Sequence, residues 1–199
     1  QISITKKVKL GNAFHNITEE VSEEKIDLVI MGSKGVKGLE EALIGSNTEK
    51  VVRYSKCPVL TVKAKADLNK ISNIVFASNF TAEESRVTED LKKLQEVFSA
   101  CLHLVHINTP NNFQTSRETN KLIQEFIKIN GLTHCSINIY NDKIEEDGII
   151  YFAEDINADL IALATHGRTG LMHLLSGSIA EDVVNHARRP VWTFRLKHK

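Results

Sequence analysis

Several features that would announce a function are missing from this chain. Its 199 residues hold three cysteines, Cys57, Cys101 and Cys135. Their odd count and lack of metal spacing point away from a disulfide framework or a zinc site, and read as reduced thiols in a cytoplasmic protein. Neither charge sign dominates: 25 Lys and Arg balance 25 Asp and Glu, which removes the electrostatic footprint of a nucleic-acid binder. The two dense basic spots, Arg188-Arg189 and Lys197-His198-Lys199, read as a solvated helix end and a terminus. No apolar run reaches membrane-spanning length, and no charged-then-apolar leader opens the sequence. No nucleic acid and no membrane is therefore expected as a partner. A Walker lysine does not follow the glycines, no Gly-x-Ser-x-Gly elbow occurs, and the histidines show no ligand spacing. No catalytic residue and no metal ligand is nominated.

What is present is a repeat. Asp27-Leu28-Val29-Ile30-Met31-Gly32-Ser33-Lys34-Gly35 aligns without a gap with Asp159 to Gly167. In the same register Gly38 falls on Gly170, Gly45-Ser46 on Gly177-Ser178, Glu49 on Glu181, and Pro58-Val59 on Pro190-Val191. The spacing, about 132 residues, is that of an ordinary domain rather than a solenoid unit. Each copy reads as a buried strand, a glycine-rich loop and a capped helix. Such a corner can hold an anion, because the first amides of a helix are unpaired and carry partial positive charge.

In chain order, Ile2 to Leu10 alternates as a strand, and Ala13, Phe14, Ile17 and Val21 mark a helix. Leu28 to Met31 is a short apolar run, as expected of a strand buried on both faces. Ser46 and Glu49 form a capping box for the next helix, and Val59 to Val62 is a strand. The polar connector Ala64 to Lys70 separates residues 1–66 from residues 67–199. The second part alternates fully. Its strands are expected at Ile74–Ala77, Leu102–Ile107, Ser136–Tyr140, Leu160–Leu163 and Val191–Phe194. Its helices are opened by the Thr81–Glu84 capping box, centred on Ile123 and Phe126, centred on Ile149 and Ala153, and running from Ile179 to Arg188. This alternation implies an α/β fold with a parallel sheet and helices on both faces. Ligands in such sheets bind beyond the carboxyl ends of the strands. Both the glycine loop and Ala77-Ser78-Asn79 lie at such ends.

The Gly-x-x-Gly, nine residues, Gly-Ser pattern resembles the universal stress protein family. Gly32, Gly35, Gly45 and Ser46 match it fully; Ala164, Gly167, Gly177 and Ser178 match except at the first glycine. The resemblance implies a Rossmann-like, five-stranded parallel sheet in the second part and the C-terminal half of a second such domain in the first. Tandem members pair their domains through the last strands, here Val59–Val62 and Val191–Phe194, expected antiparallel as an intramolecular pseudo-dimer; a homodimer is also allowed. The first part then lacks two strands and two helices, so the expectation is a natural N-terminal portion preceding Gln1.

One branch of the family binds ATP. Carried over by position, the ligand residues are Ala77, Ser78, Asn79, Ile107, Ala164, His166, Gly167, Gly177, Ser178 and Ile179. The phosphate-end counterparts in the first part are Gly32, Gly35, Gly45 and Ser46. Two departures oppose binding: Asn79 replaces an aspartate that would grip a ribose hydroxyl or adenine amine, and Ala164 puts a methyl where glycine is expected. Ser46 and Ser178 also read as ordinary N-caps. Gly38 and Gly170 read as loop hinges, His103 and His106 as packed or edge residues, and His173 and His186 as surface residues. The expected function is a non-catalytic stress-response protein that binds adenine nucleotide and works through dimerisation or partner contacts. The alternatives are a structural adaptor with an empty pocket and a slow ATP hydrolase. The latter is opposed by the missing Walker lysine and by the lack of an evident acid near the loop for magnesium.

Overall fold

The computed structural model describes residues 3–32, 44–63, 68–82, 84–166 and 176–196. The chain runs α1 (Ala13–Glu23), β1 (Val29–Gly32), α2 (Ser46–Tyr54), β2 (Val59–Val62), β3 (Asn73–Ala77), α3 (Thr88–Phe98), β4 (Cys101–Asn108), α4 (Ser116–Asn130), β5 (Cys135–Asn141), α5 (Glu145–Asp155), β6 (Leu160–His166), α6 (Ser176–His186) and β7 (Val191–Leu196). Short 3-10 turns lie at Leu68–Lys70 and Glu84–Val87. Among the described residues the strands form one seven-stranded sheet, ordered β1-β2-β7-β6-β3-β4-β5.

Alternation along each strand sends neighbouring side chains to opposite faces, and two cores result. Val75, Val105, Ile107, Ile161 and Val191 pack against Val51 and Val52 of α2, Ile149 and Phe152 of α5, and Ala180 and Val183 of α6. Ile74, Phe76, Leu102, Leu104 and Phe194 pack against Leu91 and Leu94 of α3 and Ile123 and Phe126 of α4. Helices therefore cover both faces, as the alternation of elements predicts. Helix ends follow local chemistry. Thr115 and Glu118 cap α4 reciprocally, and Gly131 ends it at φ 60°, a left-handed position that suits glycine. The Thr81–Glu84 hydrogen bonds also form, with the Glu84 carboxylate accepting from the Thr81 amide at 2.8 Å and its hydroxyl at 3.0 Å, but they open the 3-10 turn Glu84–Val87 rather than the expected helix; α3 begins at Thr88, after Val87, with no side-chain cap.

Every strand pair is parallel except β2 with β7. There Val59 faces Thr193, Leu60 faces Trp192 and Thr61 faces Val191. The Thr61 hydroxyl donates to the Val191 carbonyl at 3.2 Å, and the Thr193 hydroxyl donates to the Val59 carbonyl at 3.3 Å. The last strands of the two parts thus pair antiparallel, as expected, and each threonine is the other's counterpart in the repeat. The repeat is also structural. Helix α1 begins at Ala13 and α5 at Glu145, an offset of 132, and both span 11 residues.

Four further expectations need correction. Residues 3–10 carry no strand; among the described residues they have no neighbouring strand to complete a ladder, and Val8 is 95% exposed. Salt bridges from Lys7 to Glu20 and Glu24, and from Lys9 to Glu19 and Glu20, tie this segment to α1 instead. Strand β1 is not buried on both faces: it stands at the sheet edge, and Ile30 is 59% exposed. Ser46 is not the cap of α2. Gly45 occupies that position in extended backbone with no side-chain bond, so Ser46 is already helical. Likewise α6 starts at Ser176 rather than Ile179 and ends at His186, which puts Ser178 inside the first turn rather than at the cap.

Candidate functional site

Strand order reverses between β3 and β6: the chain goes from β3 outward to β4 and β5, then returns to the other side of β3. The carboxyl ends of these strands therefore diverge, and a cleft forms there. It has a volume of about 90 Å³. Ala77, Ser78 and Asn79 line it from the end of β3, Ile107 from β4, Leu163 and Ala164 from β6, Glu145 and Ile149 from α5, and Ile179 and Ala180 from α6. Glu84 completes the wall. Six nominated residues, Ala77, Ser78, Asn79, Ile107, Ala164 and Ile179, thus converge on one cavity.

The β3 end is a tight turn. The Ser78 amide donates to the Val105 carbonyl at 3.2 Å, and the Phe80 amide donates to Ser78 Oγ at 2.7 Å. Phe80 takes φ 56°, a costly conformation for an aromatic residue. Burial against Phe76 and Phe126, with ring centroids 6.3 and 5.2 Å away, holds it there. The turn leaves Asn79 exposed at the rim.

Gly148 sets the opposite wall. A Cβ on it would lie 2.6 Å from Ile107 Cγ2 and 3.1 Å from Asp142 Cβ, so only glycine lets the first turns of α5 press against the end of β4. Glu145 and Ile149 flank it and reach the cleft. Neither Glu84 nor Glu145 is among the residues nominated from the sequence, which reads no acid near the loop. Glu84 is visible only as a capping residue. Glu145 precedes the apolar run by which α5 is recognisable, with Gly148 interrupting the pattern.

His106 lies directly before Ile107 and is fully buried, and among the described residues neither ring nitrogen has a hydrogen-bond partner. Burial holds its pKa below the ordinary value; the Ser78 backbone, outside bonding geometry, and the Glu145 and Glu84 carboxylates oppose this more weakly. His103 is packed between Ser136 Oγ (2.9 Å) and Asn73 Oδ1 (3.1 Å), and burial lowers its pKa too.

Gly35 and Gly167 lie outside the described residues, as do Gly38, Gly170 and His173, and the side chains of His166 and Ser178 are not described. His166 ends β6, and Gly177 and Ser178 lie in the first turn of α6. His186 is exposed. In the first part, Gly32 ends β1 and its carbonyl accepts from the Thr48 hydroxyl at 3.3 Å, which joins it to the helix that Gly45 and Ser46 open. Among the described residues a Cβ at Gly32 would meet nothing within 4 Å, and its counterpart in the repeat is alanine, Ala164. Among the described residues no group of three His, Cys, Asp or Glu could hold a metal. No described helix is long and apolar enough to cross a membrane.

A mostly parallel α/β sheet with helices on both faces and a cleft at its crossover point defines a Rossmann-like fold. The chain belongs to the universal stress protein family: the family's sequence model matches residues 1–63 and 141–195, more than half of the chain. It is similar to a universal stress protein of Synechocystis, with 23% identity over 170 residues, covering 85% of this chain and 58% of that protein. The chain thus spans less than two thirds of that relative's length. Among solved structures it resembles a universal stress protein from Archaeoglobus fulgidus, with a TM-score of 0.72 and 22% identity, covering 97% of this chain and 68% of that one. A universal stress protein in complex with cAMP matches at a TM-score of 0.51 and 16% identity, over 64% of this chain and 99% of that one.

Proposed function

We propose that this universal stress protein binds an adenine nucleotide, ATP among them, in the cleft between β3, β4 and β6, and acts in the cytoplasm without catalysis, through dimerisation or partner contacts. The observation that carries this reading is the convergence of Ala77, Ser78, Asn79, Ile107, Ala164 and Ile179 on one cavity at the strand crossing. The apolar walls suit a flat base, and the first turn of α6 lies where its amides can meet an anion. The family member solved with cAMP supports an adenine nucleotide as the ligand class.

We read residues 67–199 as a complete unit and residues 1–66 as the C-terminal half of another. The shared offset of α1 and α5 supports this. At the same offset residues 3–9 correspond to β5, which lies beyond β3 and β4 from β6.

A second reading, an adaptor whose cleft stays empty, is favoured by the small volume of about 90 Å³, below the range of roughly 300–1,000 Å³ common for ligand pockets. Calorimetric titration with ATP separates the two: saturable binding at one site supports the nucleotide reading, and no heat at millimolar ATP supports the adaptor. Phosphate release at stoichiometric protein would instead make it a hydrolase.

A further inference from the structure

We propose that Glu145 selects the base in this cleft, accepting a hydrogen bond from an exocyclic amine and rejecting a ring carbonyl at the same position. The inference rests on the nucleotide reading above and adds to it a residue and a specificity. Asn79, at the rim, is uncharged and presents both a donor and an acceptor, so it does not discriminate an amine from a carbonyl. Among the described residues lining the cleft there are two carboxylates, and they are not equivalent. Glu84 is buried, and its Oε2 already accepts both the Thr81 amide and the Thr81 hydroxyl. Glu145 makes no hydrogen bond or ion pair among the described residues, and it lines the cavity beside Ile107 and Ile149.

Its place is fixed by backbone rather than by a side-chain network. The contact of Gly148 with Ile107 holds the start of α5 against β4, and Glu145 is the first residue of that helix. An ionised carboxylate accepts hydrogen bonds and donates none. Set between apolar walls, it favours the amine edge of adenine and opposes the carbonyl that replaces it in hypoxanthine. No Lys, Arg or His is among the described residues lining the cleft, so this part of the cavity suits the base end of a nucleotide rather than its phosphates.

The test compares AMP with inosine monophosphate, which differ at that amine. Both are titrated calorimetrically into the wild-type chain, Glu145→Gln and Glu146→Gln, the last removing a charge from the same helix turn. Wild type is expected to prefer AMP by at least about tenfold, in line with one charged hydrogen bond. In Glu145→Gln the AMP affinity falls about tenfold and the preference collapses toward unity, because an amide can donate to the carbonyl; Glu146→Gln keeps both. Unchanged discrimination in Glu145→Gln, with AMP still bound, overturns the role of Glu145 and leaves the nucleotide reading standing. Failure of wild type to bind AMP overturns both. Glu145→Asp, which keeps the carboxylate, is expected to retain part of the preference; loss as complete as in Glu145→Gln would contradict the proposal.

Discussion

Arg53 on α2 reaches Glu181 on α6 across the antiparallel seam, with Nε and Oε1 3.5 Å apart. The two helices are counterparts in the repeat, yet the contact is not reciprocated. The counterpart of Arg53 is Asn185, whose side-chain oxygen accepts the Ile44 amide at 2.9 Å while its carbonyl accepts Lys63 Nζ at 2.6 Å. The seam is thus asymmetric in charge although symmetric in its strands. Burial pushes the Glu181 carboxyl above its usual range, Arg53 opposes this, and Glu49 and Asp182 add to the rise.

Replacing Arg53 by Leu is expected to cost about 0.5–1 kcal/mol at neutral pH, a modest figure because the arginine is half exposed. The removal lifts the Glu181 pKa further. A carboxyl raised in the folded state weakens folding above its unfolded pKa and ceases to do so once protonated. The deficit of the variant relative to wild type should therefore shrink as pH falls through the raised Glu181 pKa. Urea titrations from pH 7 to pH 4 check this, and a pH-independent deficit would count against the pair.

His106→Leu is expected to stabilise the protein by about 1–2 kcal/mol, since it removes two buried nitrogens that lack partners among the described residues. A histidine lowered in the folded state gives a definite pH sign. Below its ordinary value of about 6.5 the unfolded chain takes up the proton first, so wild type loses stability as pH falls from there toward the folded pKa. The advantage of the variant should grow over the same window. Thermal melts at pH 7.5 and pH 5.5 measure it; a destabilised variant with an unchanged pH slope would mean that the ring is satisfied in solution.

Gly148→Ala sets helix propensity against packing. Alanine gains up to about 1 kcal/mol in a helix interior, but the new methyl meets the buried, branched Ile107 at 2.6 Å, and overpacking of this kind costs about 1–3 kcal/mol. Net destabilisation is the expected outcome in denaturant melts. A more stable variant would show that α5 does not press on β4 as described.

Asn79→Asp combined with Ala164→Gly reverses the two departures at the cleft. The pair should tighten ATP binding about three- to tenfold in calorimetry, by restoring an anionic acceptor and removing a methyl from the wall. Unchanged affinity would place the ligand elsewhere.

Where the sequence was legible, the signal was periodic or repeated. The spaced glycines and Pro-Val strands located β1, β2, β6 and β7, and apolar spacing located α3 and α4. The misses share a cause: they depend on what lies alongside. Ile2 to Leu10 has the alternation of a strand, but alternation without a neighbouring ladder leaves the backbone to water. Leu28 to Met31 reads as doubly buried, but its edge position exposes Ile30. Ser46 has capping-box chemistry, yet Gly45 takes the extended position first. Glu145 entered the cleft unnoticed because its location depends on a contact between Gly148 and Ile107, 41 residues apart in the chain.

The central claim is that a nucleotide occupies the crossing between β3 and β6. Amide hydrogen exchange with and without saturating ATP tests it most directly. The account predicts added protection at Ser78, Asn79, Ile107 and the first turn of α6, with the β2–β7 seam unchanged. Saturating ATP that alters none of those cleft amides would contradict it.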